Sequence, residues 1–483
     1  MSAILGLLKI LFLTPLYFFR IRFMNPTPVP DQVKTVGLFH VPAHANGGGE
    51  KVLWAIVNKL IEEKKYKIYI YSDIVDKESM IGKVNRFFGY SIKAEDFNLI
   101  QLESGYLTYS DHWTIFSRYL EGLSHYLVTF TALEKFMPDV FIETFTAHFS
   151  PIAAKLLNPN IKIITYVHYP YTSTEFVHSY WDTLVSSGVS IKTRLFAAWK
   201  LVYHYTLYFI YGFMGQFSDV CYTNSSWTQN HMEGNWPGKC SILYPPCNVD
   251  EFWSQDYDNK KKVVVSLAQF RPEKRHDIQL DMMKYHQERH PESDVVFKIM
   301  GSAKFEDSEK IFNHLQNRIK TENIRNVELL KNLEFKDVMN NLKESTFGVH
   351  TMIDEHFGIG IVEMLAGGLV CLAHRSAGPR DDILGNHTHA IHGLLATNDA
   401  DFNVTFNKMI EDYNDAAKRV DLLKMVQKGQ EFAKNQLSNE AFSSKFVGAI
   451  DDIDKQLRKD AKKRSDAAAK DARKNKKNGD EDL

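Results

Sequence analysis

Short apolar runs alternate with amphipathic stretches along most of the chain. Val36-Gly37-Leu38-Phe39, Lys67-Ile68-Tyr69-Ile70-Tyr71, Asn98-Leu99-Ile100-Gln101, Asp139-Val140-Phe141-Ile142-Glu143 and Ile161 through Val167 each read as a strand. Lys51 to Ile61 carries apolar residues at helical spacing. Asp219-Val220-Cys221-Tyr222-Thr223 closes this first alternating region, which spans residues 34–242. The proline-rich stretch Leu243-Tyr244-Pro245-Pro246-Cys247-Asn248 reads as the start of a stiff linker over 243–260. Alternation then resumes over 261–436, with strands at Val263-Val264-Val265-Ser266-Leu267, Val295 to Met300, Asn326 to Leu330, Thr346 to Thr351 and Leu369 to Ala373. Helices are predicted near Asp277 to Glu288, Ser308 to Lys320 and Phe335 to Ser345. A helix over 437–457 and a charged tail over 458–483, disordered or a frayed helix end, complete the chain. The pattern is that of two consecutive open α/β sheets.

Two stretches break the alternation. Ile4 to Phe19 is apolar apart from Lys9, Thr14 and Pro15, and Arg20 and Arg22 follow it. At helical rise it reaches about 24 Å against a hydrocarbon core of about 30 Å, so residues 1–23 read as a membrane anchor that spans or lies shallow. If it spans, the arginines place everything from Met24 onward in the cytosol. The second stretch, 192–216, is crowded with Tyr and Phe but carries Arg194, Lys200 and His204. It reads as a helix lying in the headgroup zone, with a buried amphipathic core helix as the alternative.

Composition narrows the classes further. A formal net charge of −1 over 483 residues argues against a nucleic-acid binder driven by global charge. The four cysteines show no CxxC or metal-ligand spacing and read as reduced thiols, and no protein-held metal is indicated.

Candidate chemistry gathers at strand ends. In Asp354-Glu355-His356-Phe357-Gly358-Ile359-Gly360-Ile361-Val362-Glu363, two carboxylates bracket a glycine-bearing turn that enters a helix. Free amides at such a helix start favour an anionic ligand, although an ordinary capped helix has the same pattern. Asn46-Gly47-Gly48-Gly49-Glu50 lies at a strand-to-helix junction, where backbone can approach a ligand closely. It matches neither GxGxxG nor a Walker A loop, and a plain flexible turn is the alternative. His168 ends a strand, as a ligand-facing or a structural histidine would. The basic loop Gln269-Phe270-Arg271-Pro272-Glu273-Lys274-Arg275-His276 follows the first strand of the second region and is placed to neutralise a diphosphate.

Together, the glycine loop, His168-Tyr169-Pro170, Tyr244-Pro245-Pro246-Cys247, the basic loop and the Glu355, seven residues, Glu363 spacing resemble the family-4 glycosyltransferases of GT-B type. The resemblance covers about Val36 to Asp451 and implies two Rossmann-like domains facing across a cleft. More narrowly, the motifs are similar to members that build dolichol-linked N-glycan precursors. That likeness implies retaining α-1,2-mannosyl transfer from GDP-mannose to a dolichyl-diphosphate oligosaccharide carrying three mannoses, adding the fourth and fifth. It implies no cofactor or metal, membrane lipid and other mannosyltransferases of the pathway as partners, and the cytosolic face of the endoplasmic reticulum as the location. By the same likeness, Glu355 addresses the donor sugar, Glu363 the ribose, Lys274 the diphosphate and His168 the sugar, with Gly358 and Ile359 offering amides. Gly47 and Gly48 match the loop near the reaction centre. Where many members carry an arginine five residues before the lysine, this chain has Gln269, and Arg271 is the substitute donor. A family-4 enzyme using another nucleotide sugar and a catalytically silent membrane scaffold are the remaining alternatives.

Overall fold

The computed structural model describes residues 29–481 apart from 46, 115, 173, 304–305 and 386–390. The anchor expected over 1–23 lies outside the described residues. Among those described, no helix is long and apolar enough to cross a membrane. The chain forms two compact units, the first from residues up to Thr223, Asn230–Ser241 and the segment from Ser443 onward, the second from Asn224–Gln229 and Ile242–Phe442.

In the first unit, β1 (Thr35–Phe39), β2 (Lys67–Ser72), β3 (Asn98–Gln101), β4 (Val140–Glu143), β5 (Lys162–Val167), β6 (Val220–Thr223) and β7 (Cys240–Ile242) make one sheet in the order β3-β2-β1-β4-β5-β6-β7. β1 pairs in parallel with β2 and with β4, Leu38 lying opposite Ile70 and Ile142. β4 is buried along its whole length, which explains the apolar run Val140-Phe141-Ile142 ahead of the buried Glu143. The sheet changes winding direction between β1 and β4, so their carboxyl ends open the crevice where such sheets hold ligands.

The second unit repeats the plan with β8 (Lys261–Leu267), β9 (Val296–Gly301), β10 (Val327–Lys331), β11 (Ser345–His350), β12 (Val370–His374) and β13 (Leu394–Ala396), in the order β10-β9-β8-β11-β12-β13. Every pairing in this sheet is parallel. Alternate residues feed opposite faces: Val264, Phe347 and Leu372 join one core cluster, while Val263, Val265, Cys371 and Ala373 join the other. Here the winding reverses between β8 and β11.

Two expected boundaries need correction. Residues 243–260 are not a linker, because Cys247, Val249 and Phe252 are buried in the second unit's core and a short helix, Val249–Phe252, sits among them. Pro245 and Pro246 stiffen the segment, but its apolar positions pack rather than span. Of the two readings of the tail from 458, disorder gives way to a helix end, since one helix runs from Asn439 to Glu481. Its Ala, Lys and Asp residues have adequate helix propensity, and pairs such as Arg458–Asp454 at 2.7 Å support the exposed turns. From Ser443 that helix belongs to the first unit. There the Val33 amide donates to Asp454 at 2.6 Å, the Tyr66 hydroxyl donates to Asp451 at 2.6 Å, and Phe446 packs on Tyr222 with ring centres 5.8 Å apart.

The segment expected at 192–216 is a helix, Ile191–Met214, capped by Ser190, whose hydroxyl accepts from the Thr193 amide at 3.2 Å. Leu201, Leu207 and Tyr211 are buried within the first unit, whereas Leu195, Val202 and Phe209 are 66%, 64% and 69% exposed. Apolar residues therefore occupy both faces of this helix, and among the described residues one face has no covering layer.

Candidate active site

The second unit's site grows from the reversal point between β8 and β11. After β8 the chain makes one 3₁₀ turn, Pro272–Lys274, with proline where its missing N–H costs least. Thr351, just past β11, pins this turn by donating its hydroxyl to the Lys274 carbonyl at 2.7 Å. Gln279 in turn donates to Thr351 at 3.0 Å and to Ser266 at 2.9 Å, tying the turn to β8.

Beyond β11, the loop to Gly358 is held at both sides. The Asp354 amide donates to the Ser376 hydroxyl at 2.8 Å and the Gly378 amide to the Glu355 carbonyl at 3.0 Å. Trp227 stacks on His356 with ring centres 4.3 Å apart. Gly358 has φ 113°, a conformation in which a side chain would be strained, and it leads into the helix Ile359–Ala366. A Cβ on Gly360 would lie 2.7 Å from the Leu267 carbonyl, so the helix start rests directly on the end of β8. The first amides of an α-helix lack intrahelical partners, which makes Gly358 and Ile359 donors toward an anion.

At the centre stands Glu355. Its Oε2 accepts from His350 Nε2 at 2.9 Å and from the Lys274 ammonium. Burial alone pushes this carboxyl's pKa up, but the hydrogen bonds and charges of His350 and Lys274 outweigh burial and hold it well below the usual carboxylate range. Lys274 also lies 3.1 Å from the Met352 sulfur. The structure thus joins Glu355 to Lys274, two of the residues singled out from sequence, and adds His350, which sequence reading placed only in a buried strand. Glu363 is half-buried in the helix that begins at Ile359. Gln269 and Arg271 are exposed. The Gln269 carbonyl accepts from His276 at 3.2 Å, and the ion-pair partner of Arg271 is Glu273 at 3.8 Å, so neither joins the Lys274–Glu355 pair.

The first unit places a second cluster at its own reversal point. His40 follows β1 and is buried, contacting the Thr144 hydroxyl through Nδ1 at 2.9 Å and Glu50 through Nε2 at 3.2 Å. Glu50 also accepts from the Gly47 amide at 2.7 Å. Burial pushes the Glu50 pKa up, and His40 with the Gly47 amide more than reverses this, leaving it below the ordinary value. His168 Nε2 lies 3.1 Å from the Thr144 carbonyl, which can only accept, so Nε2 carries the proton and Nδ1 is the acceptor. Burial, reinforced by the nearby His40, lowers the His168 pKa to about 4, and the ring is neutral at physiological pH. A Cβ built on Gly49 would stand 3.6 Å from His168 Nε2 and 3.5 Å from His40. The glycine loop and His168 therefore do meet, at Gly49. His40, Glu50 and Thr144 escaped the sequence reading, though Glu50 stands three residues after Gly47 as a helix-capping glutamate would. Among the described residues, no group of three or more His, Cys, Asp or Glu is arranged to hold a metal ion.

Two Rossmann-like sheets in series, the second carrying a lysine–glutamate pair at its reversal point, define a GT-B glycosyltransferase. The fold is shared by the Anabaena protein Alr3699/HepE, solved with UDP and glucose, with TM-score 0.56 and 15% identity over 86% of this chain and 100% of that one. A glycosyltransferase from Rickettsia africae superposes with TM-score 0.59 and 16% identity over 87% of this chain and 98% of the other. Residues 33–236 match the family described as ALG11 mannosyltransferase N-terminus, and residues 249–424 match glycosyl transferases group 1. A mouse relative named GDP-Man:Man(3)GlcNAc(2)-PP-Dol alpha-1,2-mannosyltransferase is 35% identical over 75% of this chain and 76% of its own length. The human protein of that name is 31% identical over 86% of this chain and 87% of its own. The chain belongs to this mannosyltransferase family.

Proposed function

We propose that the chain is a retaining α-1,2-mannosyltransferase moving mannose from GDP-mannose to a dolichyl-diphosphate oligosaccharide that already carries three mannoses. The observation that carries this reading is the similarity, over three quarters of the chain, to a relative whose name states that donor, acceptor and linkage. Breaking the bond between the mannose anomeric carbon and the diphosphate leaves negative charge, and stabilising it is the main demand on the site. Lys274 and the amides at Gly358 and Ile359 meet that charge, with Arg271 free to swing in from its exposed position. Glu355 receives the sugar hydroxyls and Glu363 the ribose. His168, a neutral ring with a fixed tautomer, orients a hydroxyl without adding charge.

Retention by double displacement needs a nucleophilic carboxylate about 5 Å from an acid. Glu355 is held at Oε2 by two donors, which lowers its nucleophilicity. Same-face attack fits better: the acceptor 2-hydroxyl oxygen bonds to the anomeric carbon as the bond to phosphate breaks, and its proton passes to a leaving phosphate oxygen. The test is incubation of purified protein with a panel of nucleotide sugars and a trimannosyl lipid acceptor. Transfer from GDP-mannose alone, in α-1,2 linkage and undiminished by EDTA, is expected; transfer from another donor in preference overturns the reading.

The acceptor is membrane-borne, and the exposed face of the helix Ile191–Met214 supplies a lipid contact on the cytosolic side of the endoplasmic reticulum. Each large apolar side chain moved out of water contributes about 1.5–3 kcal/mol. Replacing Leu195, Val202 and Phe209 together with glutamate is therefore expected to release the described domains from phospholipid vesicles and to raise KM for the lipid acceptor more than about tenfold. Turnover of a short-chain, water-soluble acceptor stays unchanged, because these side chains are exposed and support no core.

A further inference from the structure

The lysine that must meet the donor's diphosphate is, in the free protein, already engaged with Glu355. From this geometry we infer that the Lys274–Glu355 contact is a resting ion pair which the donor exchanges. His350 is then the positioning residue that keeps Glu355 ionised and oriented once Lys274 leaves. The inference rests on the roles given to Lys274 and Glu355 above.

Three observations carry it. First, both contacts converge on Oε2, and neither uses Oε1, so the carboxylate can lose one partner without turning and keep Oε1 for a sugar hydroxyl. Second, the two partners differ in fixity. His350 is the last residue of β11, its side chain only 4% exposed, and a short ring there has little freedom. Lys274 stands on a single 3₁₀ turn, its side chain 18% exposed, and a lysine ammonium on a four-carbon stem re-aims its three donors easily. Third, a buried carboxylate stripped of its sole partner is strongly disfavoured and would hold the lysine back. His350 removes that obstacle.

The charged and titratable groups facing Glu355 are Lys274 from the turn after β8 and His350 from β11. Behind them His276, from the helix His276–Arg289, is close enough to feel both. When diphosphate takes Lys274, the carboxylate faces the sugar with His350 alone behind it. Sugar recognition by Glu355 is thereby coupled to the presence of the diphosphate, and a free monosaccharide meets a site whose carboxylate is still engaged.

The test uses the full-length enzyme and compares His350→Leu and His350→Gln with a Glu355→Gln control. His350→Leu is expected to lower kcat about tenfold to a hundredfold, as a misplaced reacting group does. With one partner gone, the Glu355 carboxyl titrates higher, so the acid limb of the kcat profile moves to higher pH. KM for GDP-mannose rises severalfold, because Lys274 is now the only partner of Glu355. Glutamine keeps an N–H at similar reach but not the charge, and His350→Gln is expected to restore kcat to within about threefold and to bring the acid limb part of the way back. A merely structural histidine would lower the melting temperature and leave the limb where it was. If His350→Leu does not fold, His350→Asn, polar but too short to reach Oε2, gives the same decision. Wild-type kcat with an unmoved acid limb in the leucine or asparagine variant overturns this inference while leaving the site intact, provided Glu355→Gln is inactive. Wild-type activity in Glu355→Gln overturns the site reading itself.

Discussion

Lys274→Ala lowers mannosyl transfer about a hundredfold to a thousandfold, the cost of removing one preorganised donor from developing negative charge. The expected loss is in kcat and in donor affinity together, because the ammonium meets the diphosphate in both the bound and the breaking state. Arginine does not restore the rate: a planar fork cannot replace a compact ammonium that must sit beside the Met352 sulfur and Oε2 of Glu355. The variant also carries a stability signature. The Glu355 carboxyl is held low in the folded protein, so its contribution is complete above the ordinary carboxylate range and disappears only as pH falls through the depressed value. Without Lys274 that value moves back toward the ordinary one, so less stability is lost as pH falls below the ordinary carboxylate range. Denaturation midpoints measured across roughly pH 3–6 check this, alongside initial rates with GDP-mannose and a trimannosyl lipid. Full transfer in purified Lys274→Ala protein would remove this residue from the site.

Glu355→Ala is expected to be equally severe, and in a way that separates it from Glu363→Ala. Deleting Glu355 removes the carboxylate addressed to the sugar, so turnover falls by about two orders of magnitude or more while GDP still binds. Binding of GDP alone even tightens, because Lys274 no longer has a resting partner. Glu363 lies on the helix beyond Gly358 and is assigned to the ribose, so its loss mainly raises KM for the donor. Calorimetry with GDP and rate measurements at saturating donor distinguish the two. A Glu355→Ala protein with unchanged kcat, or a Glu363→Ala protein with unchanged donor KM, would reverse the assignments.

Much of the framework was legible because buried parallel strands leave unbroken apolar runs. Val263 to Leu267 and Thr346 to Thr351 were recognisable for that reason, and each lies within two residues of the observed β8 and β11. The helices at His276–Arg289, Glu306–Thr321 and Phe335–Glu344 stand where their periodicity put them. The Glu355 to Glu363 spacing and Lys274 pointed to one site, and the structure joins Lys274 and Glu355 by a direct contact. His350 was not legible, because its partner lies five residues on, across a loop whose Asp354 and Gly358 adopt positive φ, and no periodicity encodes such a return. Cys247, Val249 and Phe252 were hidden by the neighbouring prolines, which signal a connector more loudly than scattered apolar residues signal a core. Gly49 lies beside His168, and a run of three identical residues does not say in advance which of them will. The tail was only half legible, because low apolar content describes an exposed helix as well as it describes disorder.

The return of the last helix to the first unit has a consequence for how the protein is made. About two hundred residues separate Ser241 from Ser443, so a ribosome working at about 5–20 residues per second leaves the first unit without its final helix for about 10–40 s. During that interval the surfaces destined for Phe446, Val447 and Ile450, all fully or nearly fully buried at the end, stand open while the second unit's chain emerges. Nascent-chain quality control therefore meets a first unit that looks incomplete until this helix emerges, and a premature stop between Ser443 and Ile450 removes buried side chains from the half of the protein that was translated first.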